Sequence, residues 1–188
     1  MYVTRDRLAA VEVKFGTPHE AHWRHTIDEC ERQLIISSQK DGRAHDITLF
    51  IFDGDKLALI RKPGFPFGAY RAPSGGIKRG EDVEEAAKRE AWEETGLLIE
   101  LKRYVLRICV DFIYGTTAIP WTSHVFTAQA VGGTLGTHDP REIEGVCYAM
   151  VEELQGGIRQ VLWESGRPLL RYRVRLTDAV VERLRTGG

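Results

Sequence analysis

Three glutamates, Glu90, Glu93 and Glu94, stand at i, i+3 and i+4 in the stretch REAWEETG, with Arg89 beside them. At about 100° per residue a helix puts those carboxylates on one side, where like charges repel. Gly96 follows almost at once, so the cluster also lies at a helix C-terminus, the end whose dipole disfavours negative charge. One reading is a solvated, charge-rich helix face. Two features favour chemistry instead. An exposed stable helix alternates signs at i and i+4, whereas Glu90 and Glu94 place like on like. The acidic side also adjoins a glycine-rich loop with Lys78 and Arg79, which brings N–H groups and cations toward an anion. Carboxylate oxygens without His or Cys suit Mg²⁺ or Mn²⁺ rather than zinc. Glu81 sits just before the helix, and Arg89 is placed to orient the carboxylates.

These residues need a helix to carry them and a loop to face. Asp82–Thr95 is the clearest helix in the chain, with Val83, Ala86, Ala87 and Ala91 as a small-residue side that lets it approach a sheet closely. Before it, PGFPFGAYRAPSGGIKRG is dense in Pro and Gly and predicts a long irregular loop. DITLFIF and KLALIRK flank Asp53-Gly54-Asp55 as a hairpin. LLIELKRYVLRICVDFIYG, WTSHVFTAQAVGG and GVCYAMV predict strands. VEELQGGIRQVLWESG predicts helix, weakened or split at Gly156-Gly157, and DAVVERLRT a closing helix. Residues 17–33 also look helical, with Thr17 as cap and Pro18 in the first turn, and SSQKDGR follows as a loop. Strands and helices mix without strict βαβ alternation, which favours a sheet covered by helices over a Rossmann-like winding.

Residues 75–97 resemble the Nudix box, G-x5-E-x7-R-E-U-x-E-E-x-G-U with U aliphatic. Gly75, Glu81, Arg89, Glu90, Glu93, Glu94 and Gly96 fill its fixed positions, and Ala91 and Leu97 its aliphatic ones. A chance match in a chain of this length is on the order of one in a million. YRAPSGG looks like the family's W-x-x-P-G-G approach, with Tyr70 as the aromatic and an extra Ser74. HDPREIEGVCYAMVEEL is similar to its closing acidic turn, strand and helix start. The resemblance implies an α/β/α sandwich with a mixed sheet and the box as a loop–helix–loop. Within a single domain over 1–188, it covers a core at 46–155 and leaves an N-terminal helical extension, 1–45, and a C-terminal helix/strand extension, 156–188.

The resemblance also implies Mg²⁺- or Mn²⁺-dependent hydrolysis of a nucleoside diphosphate linked to another moiety. Carried over by position, Glu90 and Glu94 are the principal metal ligands. Glu93 is a further ligand or a water-mediated one, Glu81 is a further metal-site residue that helps through a water or by ordering the loop, and Arg89 holds the carboxylates. The general base is a box glutamate, Glu93, or one from the later loop, Glu142 or Glu144. Gly75 and Gly76 form the loop that meets substrate, with Arg61, Lys62 and Arg71 placed near its phosphates. Tyr114 falls where some members carry a tyrosine linked to dinucleoside polyphosphates. Other Nudix-fold roles make other demands. A nucleotide-binding sensor would lose metal-binding glutamates, and none is missing. A diphosphate isomerase would need a cysteine and a histidine-containing metal site, for which Cys109 and His124 are the available material.

Composition limits the setting. The chain has 188 residues, 43% hydrophobic and 28% charged, with a formal net charge of −1. It is long enough for one substantial core, and its charge requires neither nucleic acid nor membrane as partner. No apolar run approaches a membrane span, and the N-terminal residues lack a signal-peptide core. Cys30, Cys109 and Cys147 form no CxxC and are expected as reduced, buried thiols. A cytoplasmic location is expected. His19, His22 and His25 at i, i+3 and i+6 drift around the expected helix, so a surface or packing role is favoured. Arg171, Arg173 and Arg175 alternate with Leu170, Tyr172, Val174 and Leu176. That pattern predicts an edge strand with an arginine face, which otherwise serves a phosphate or RNA contact or a homodimer surface. Trp23, Trp121 and Trp163 are core, interface or base-stacking candidates.

Overall fold

The computed structural model describes residues 3–39 and 42–186. Their elements run α1 (Arg5–Phe15), β1 (His19–Thr26), α2 (Glu29–Ser38), β2 (His45–Asp53), β3 (Lys56–Arg61), β4 (Ser74–Gly76), α3 (Val83–Thr95), β5 (Leu97–Tyr114), β6 (Thr117–Gly133), β7 (Gly145–Ala149), α4 (Val151–Gln155), α5 (Gly157–Glu164) and α6 (Pro168–Thr186). The strands form one seven-stranded mixed sheet in the order β1-β5-β6-β2-β3-β7, with β4 added on β2. β1 is parallel to β5 and β2 to β6; the other pairings are antiparallel. Helices cover both faces, giving the expected α/β/α sandwich.

Side-chain alternation along β2 divides the core. Ile47, Leu49 and Ile51 point to the side where α1 and α3 pack, through Val11, Val83, Ala86, Ala87 and Ala91. Phe50 points to the side covered by α2 and α6, through Ile35, Tyr172, Leu176 and Val180. The small residues of α3 let its backbone approach the sheet, so the glutamates on its other faces are held close to β4. Asp82 and Glu85 close a capping box at its start, and Gly96 ends it at φ 69°.

The terminal segments differ from expectation. Residues 17–33 are not one helix: His19–Thr26 is the edge strand β1, and α2 begins only after Asp28, whose side chain accepts from the Glu31 N–H. The expected loop SSQKDGR begins inside α2, and Lys40 and Asp41 lie outside the described residues. The N-terminal segment therefore contributes a strand to the central sheet. Arg171, Arg173 and Arg175 lie on a helix, not a strand. Two stripes of α6 are buried at once: Tyr172, Leu176 and Val180 against the sheet, and Leu170 and Val174 in a second cluster with Leu162 of α5. Each stripe repeats every four residues, and an offset of two makes their sum alternate. The closing helix therefore starts at Pro168 rather than near Asp178. The three cysteines are free, but Cys30 is exposed and the other two are partly buried.

Candidate active site

Arg89 organises the box. Its Nε and Nη2 donate to the two oxygens of Glu81 at 2.6 and 2.8 Å, and Nη1 donates to Glu90 at 2.7 Å and Glu93 at 3.0 Å. Nη2 also donates to the Gly76 carbonyl at 3.0 Å, tying the helix to the loop. Glu81 fastens that loop a second time by accepting from the Lys78 N–H at 2.8 Å. Helix α1 braces it from outside, where Arg7 donates to the carbonyls of Gly80 and Glu81. Arg89 thus holds three carboxylates at once.

Glu94 is buried and Glu90, one turn away, is half-buried. Glu94 is 3% exposed; it accepts from the Ser74 N–H at 2.7 Å and pairs with Lys62 at 3.4 Å. Burial raises its pKa against the pull of Arg71 and Lys62. The Glu90 carboxyl is pushed up to about 7, chiefly by burial, with Arg89 opposing and Glu94 and Glu93 adding repulsion. The Glu90 carboxylate lies against the bare Cα of Gly75: a Cβ there would stand 1.9 Å from Glu90 Cδ. Any side chain at position 75 displaces that carboxylate. At Gly76 a Cβ would stand 2.3 Å from Nη1 of Arg43. The two box glycines are therefore where a carboxylate and a guanidinium rest directly on backbone.

The C-terminal end of α3 meets the loop before β7. The N–H groups of Gly136 and His138 donate to the carbonyls of Thr95 and Glu93, and the His138 ring stacks on Trp92 with centroids 4.2 Å apart. Gly96 has to be glycine there, since a Cβ would lie 2.6 Å from the Thr134 carbonyl oxygen. This contact satisfies carbonyls that the glutamate cluster would otherwise repel. The same loop delivers Glu142 to Lys62 at 3.4 Å and Glu144 to Arg61 at 3.0 Å. Lys62 therefore bridges Glu94 and Glu142.

A cleft of about 980 Å³ opens beside this cluster. Glu90, Gly75, Gly76, Lys62, Arg71 and Glu142 are on its wall, whereas Arg61, Glu81, Arg89, Glu93 and Glu94 are not. Arg71 is 5% exposed and donates to Ser74 Oγ at 2.8 Å. Burial, with Arg173 nearby, lowers its pKa to about 10, which leaves it cationic at neutral pH. Arg61 instead holds Glu144 and lies over the Tyr70 ring. Tyr114 is outside the cleft, beneath Arg32. Cys109 lines a separate cavity of about 430 Å³ with His22 and His45. His124 is fully buried and bonded to the Tyr104 hydroxyl, so neither isomerase candidate borders the box.

Further lining comes from Glu31 of α2, Arg43, Arg167 just before α6 and Arg173 of α6, together with Trp121. Glu31, Arg43 and Arg167 were not anticipated, whereas Arg173 and Trp121 were candidates for phosphate contact and base stacking. Arg173 donates to Thr48 and Asp46 of β2, and Asp46 also accepts from the Trp121 indole N–H. Part of this was available in the sequence, because Arg173 on a helix would face the same way as Leu169, not Arg171.

A family model, the NUDIX domain, matches residues 42–172. The chain belongs to that family. The NAD-capped RNA hydrolase NudC of Chromobacterium violaceum is 43% identical over 140 residues, 68% of this chain and 50% of that one. The oxidized purine nucleoside triphosphate hydrolase of Mus musculus is 30% identical over 93 residues, 50% of this chain and 58% of that one. The chain thus spans about half the length of the curated relatives it matches. A NUDIX hydrolase structure from Nitrosomonas europaea aligns with TM-score 0.50 and 21% identity, over 75% of this chain and 91% of its own, a likeness of fold. The Nudix match extends beyond the expected core to include the first turn of α6. Among the described residues no helix is long and apolar enough to cross a membrane.

The donor set fits a hard divalent cation in type. Glu94 is buried and Glu90 half-buried, close enough that Glu94 raises the cost of ionising Glu90, which a cation between them would relieve. Among the described residues no three candidate side chains already form a metal cage. Arg89 accounts for this by drawing Glu81, Glu90 and Glu93 toward itself.

Proposed function

We propose that this Nudix protein is a Mg²⁺- or Mn²⁺-dependent pyrophosphohydrolase acting on a nucleoside diphosphate linked to a second moiety. The observation that carries the reading is Glu90 on the wall of a cleft that also presents Arg71 and Lys62, with the buried Glu94 behind it paired to Lys62. Glu90 and Glu94 would hold the metal, Glu93 would complete the set from the helix rim, and Glu81 contributes through Arg89 and the loop. A cation held there would supply charge neutralisation for the diphosphate and a more acidic water. Arg71, with the backbone of Gly75 and Gly76, positions the phosphates. Glu142 is the better placed base, because it lines the cleft and shares Lys62 with Glu94, whereas Glu93 is bound by Arg89 outside it. It takes the proton of the attacking water as the bond from phosphorus to the bridging oxygen breaks. Arg61 serves by holding the loop that carries Glu142 and Glu144.

Relatives named for NAD-capped RNA and for oxidized purine nucleoside triphosphates suggest nucleotide substrates of both kinds for testing. The experiment is product analysis with Mg²⁺ and with Mn²⁺ on ADP-ribose, NADH, dinucleoside polyphosphates, nucleoside triphosphates and capped RNA. Release of a nucleoside monophosphate from at least one, abolished by chelator, is the expected result. Inertness toward all of them with either metal would overturn the hydrolase reading.

A further inference from the structure

The cleft changes character along its length. One end is the box, with Glu90 and Gly75; the other is the corner between α2 and α6, lined by Leu34, Ile35 and Leu169. Guanidinium groups lie between. Arg43 reaches from the Ser38 carbonyl at the end of α2 to the bare Cα of Gly76. Arg173, one turn along α6 from Leu169, donates to Thr48, which pairs with Ser74 in the sheet. From box to corner the order is carboxylates, cations, then an apolar pocket.

In that pocket the chain sets one further carboxylate. Glu31 is 6% exposed. Its Oε1 accepts from the Leu169 N–H at 2.8 Å, satisfying one free donor in the first turn of α6. Its Oε2 is buried and has no hydrogen-bond partner among the described residues. Asp28 is committed to the α2 cap, and Arg167 lies over the Phe65 ring. No ion pair to Glu31 occurs among the described residues. A buried acceptor left this way requires a donor.

We propose that Glu31 recognises the nucleoside half of the substrate: Oε2 accepts a hydrogen bond from a ribose hydroxyl or an exocyclic base amine, while Leu34, Ile35 and Leu169 pack on the apolar surface. This rests on the hydrolase reading for the identity of the ligand. The polarity supports it, since a second phosphate in the corner would meet a buried carboxylate, whereas a neutral donor completes it. A diphosphate under Arg43, Arg71 and Arg173 then places its nucleoside in the corner and its scissile linkage beside Glu90.

Glu31→Gln tests this without removing the cap. The amide carbonyl replaces Oε1 opposite the Leu169 N–H, which sets an N–H donor where Oε2 stood. The full chain, wild type and variant, is titrated calorimetrically with ribose 5-phosphate, AMP, CMP, IMP, UMP and inorganic pyrophosphate, each with Mg²⁺. The expected result is nucleotide binding weakened about tenfold in Glu31→Gln, with pyrophosphate affinity and melting temperature unchanged. A matching loss for ribose 5-phosphate assigns the donor to the sugar. A loss confined to AMP and CMP, which carry exocyclic amines that IMP and UMP lack, assigns it to the base. Equal nucleotide affinities in the two proteins, or no nucleotide binding at all, would overturn the proposal. Loss of turnover across the substrate panel with this binding difference intact would overturn the hydrolase reading alone.

Discussion

Glu90, half-buried, and Glu31, buried, are carboxylates on the wall of one cleft, and they are held in opposite ways. Glu90 donates nothing and is crowded: Arg89 holds one oxygen, Glu93 and Glu94 add negative charge, and Gly75 gives it room only by lacking a side chain. Glu31 is less crowded: the Leu169 N–H bonds Oε1, Oε2 has no hydrogen-bond partner among the described residues, and Asp28 and Arg167 oppose each other in their pull on it. Burial raises the pKa of both, but the remedy differs. Crowded carboxylates are stabilised by a cation, and a less crowded one in an apolar corner by a neutral donor. The contrast separates chemistry at one end from recognition at the other.

The largest effect should come from the crowded end. Glu90→Gln keeps the shape and removes the charge, and kcat should fall about a thousandfold with little change in KM. A drop under about tenfold would move Glu90 out of the reaction. Arg89→Ala attacks the same end through stability, because it leaves the half-buried Glu81 and Glu90 without their shared cation. Urea unfolding should show a loss of about 3 kcal/mol. A loss below about 1 kcal/mol would mean the arginine network is not what holds the box together.

The smallest effect involves neither end and serves as the control. His124, buried beneath the Tyr104 hydroxyl, has its pKa lowered to about 3 by burial, with His45 and Arg107 adding to it. Below the ordinary histidine value of about 6.5 the unfolded chain takes a proton that the folded chain refuses. This contribution is therefore present at pH 7 and lost as pH falls, about 2 kcal/mol by pH 5. Raised Glu31, Glu90 and Glu94 act with the opposite sign, so the comparison is wild type against His124→Asn at pH 7 and pH 5. The wild type should lose more stability than the variant between those values; equal losses would refute it.

The crowded end was legible in the sequence because its chemistry is local. Gly75, Glu81, Arg89, Glu90 and Glu94 fall within 20 consecutive residues, and their spacing carries the helix, its caps and the fold that it packs on. The less crowded end was not, because it is assembled from α2, Arg43 and α6, which are distant in sequence. Two local patterns also misled. HEAHWRHT has no apolar alternation because β1 is an edge strand whose side chains are exposed or half-buried, so the Thr17-Pro18 helix signal prevailed. RYRVRL alternates, but the cause is a helix buried on two sides. Arg61, Arg71, Glu93 and Glu142 were all candidates in the sequence, yet only Arg71 and Glu142 lie on the cleft wall, a difference of side-chain direction that spacing does not reveal.

The central claim is that the box carboxylates form a divalent-cation platform, and thermal melting against Mg²⁺ concentration tests it without knowledge of the substrate. At Mg²⁺ about one hundred times its Kd, the wild-type Tm should rise by about 5–10 °C, and Glu90→Gln should lose most of that rise. A wild-type Tm that ignores saturating Mg²⁺, or a Glu90→Gln protein that gains as much as wild type, would contradict it.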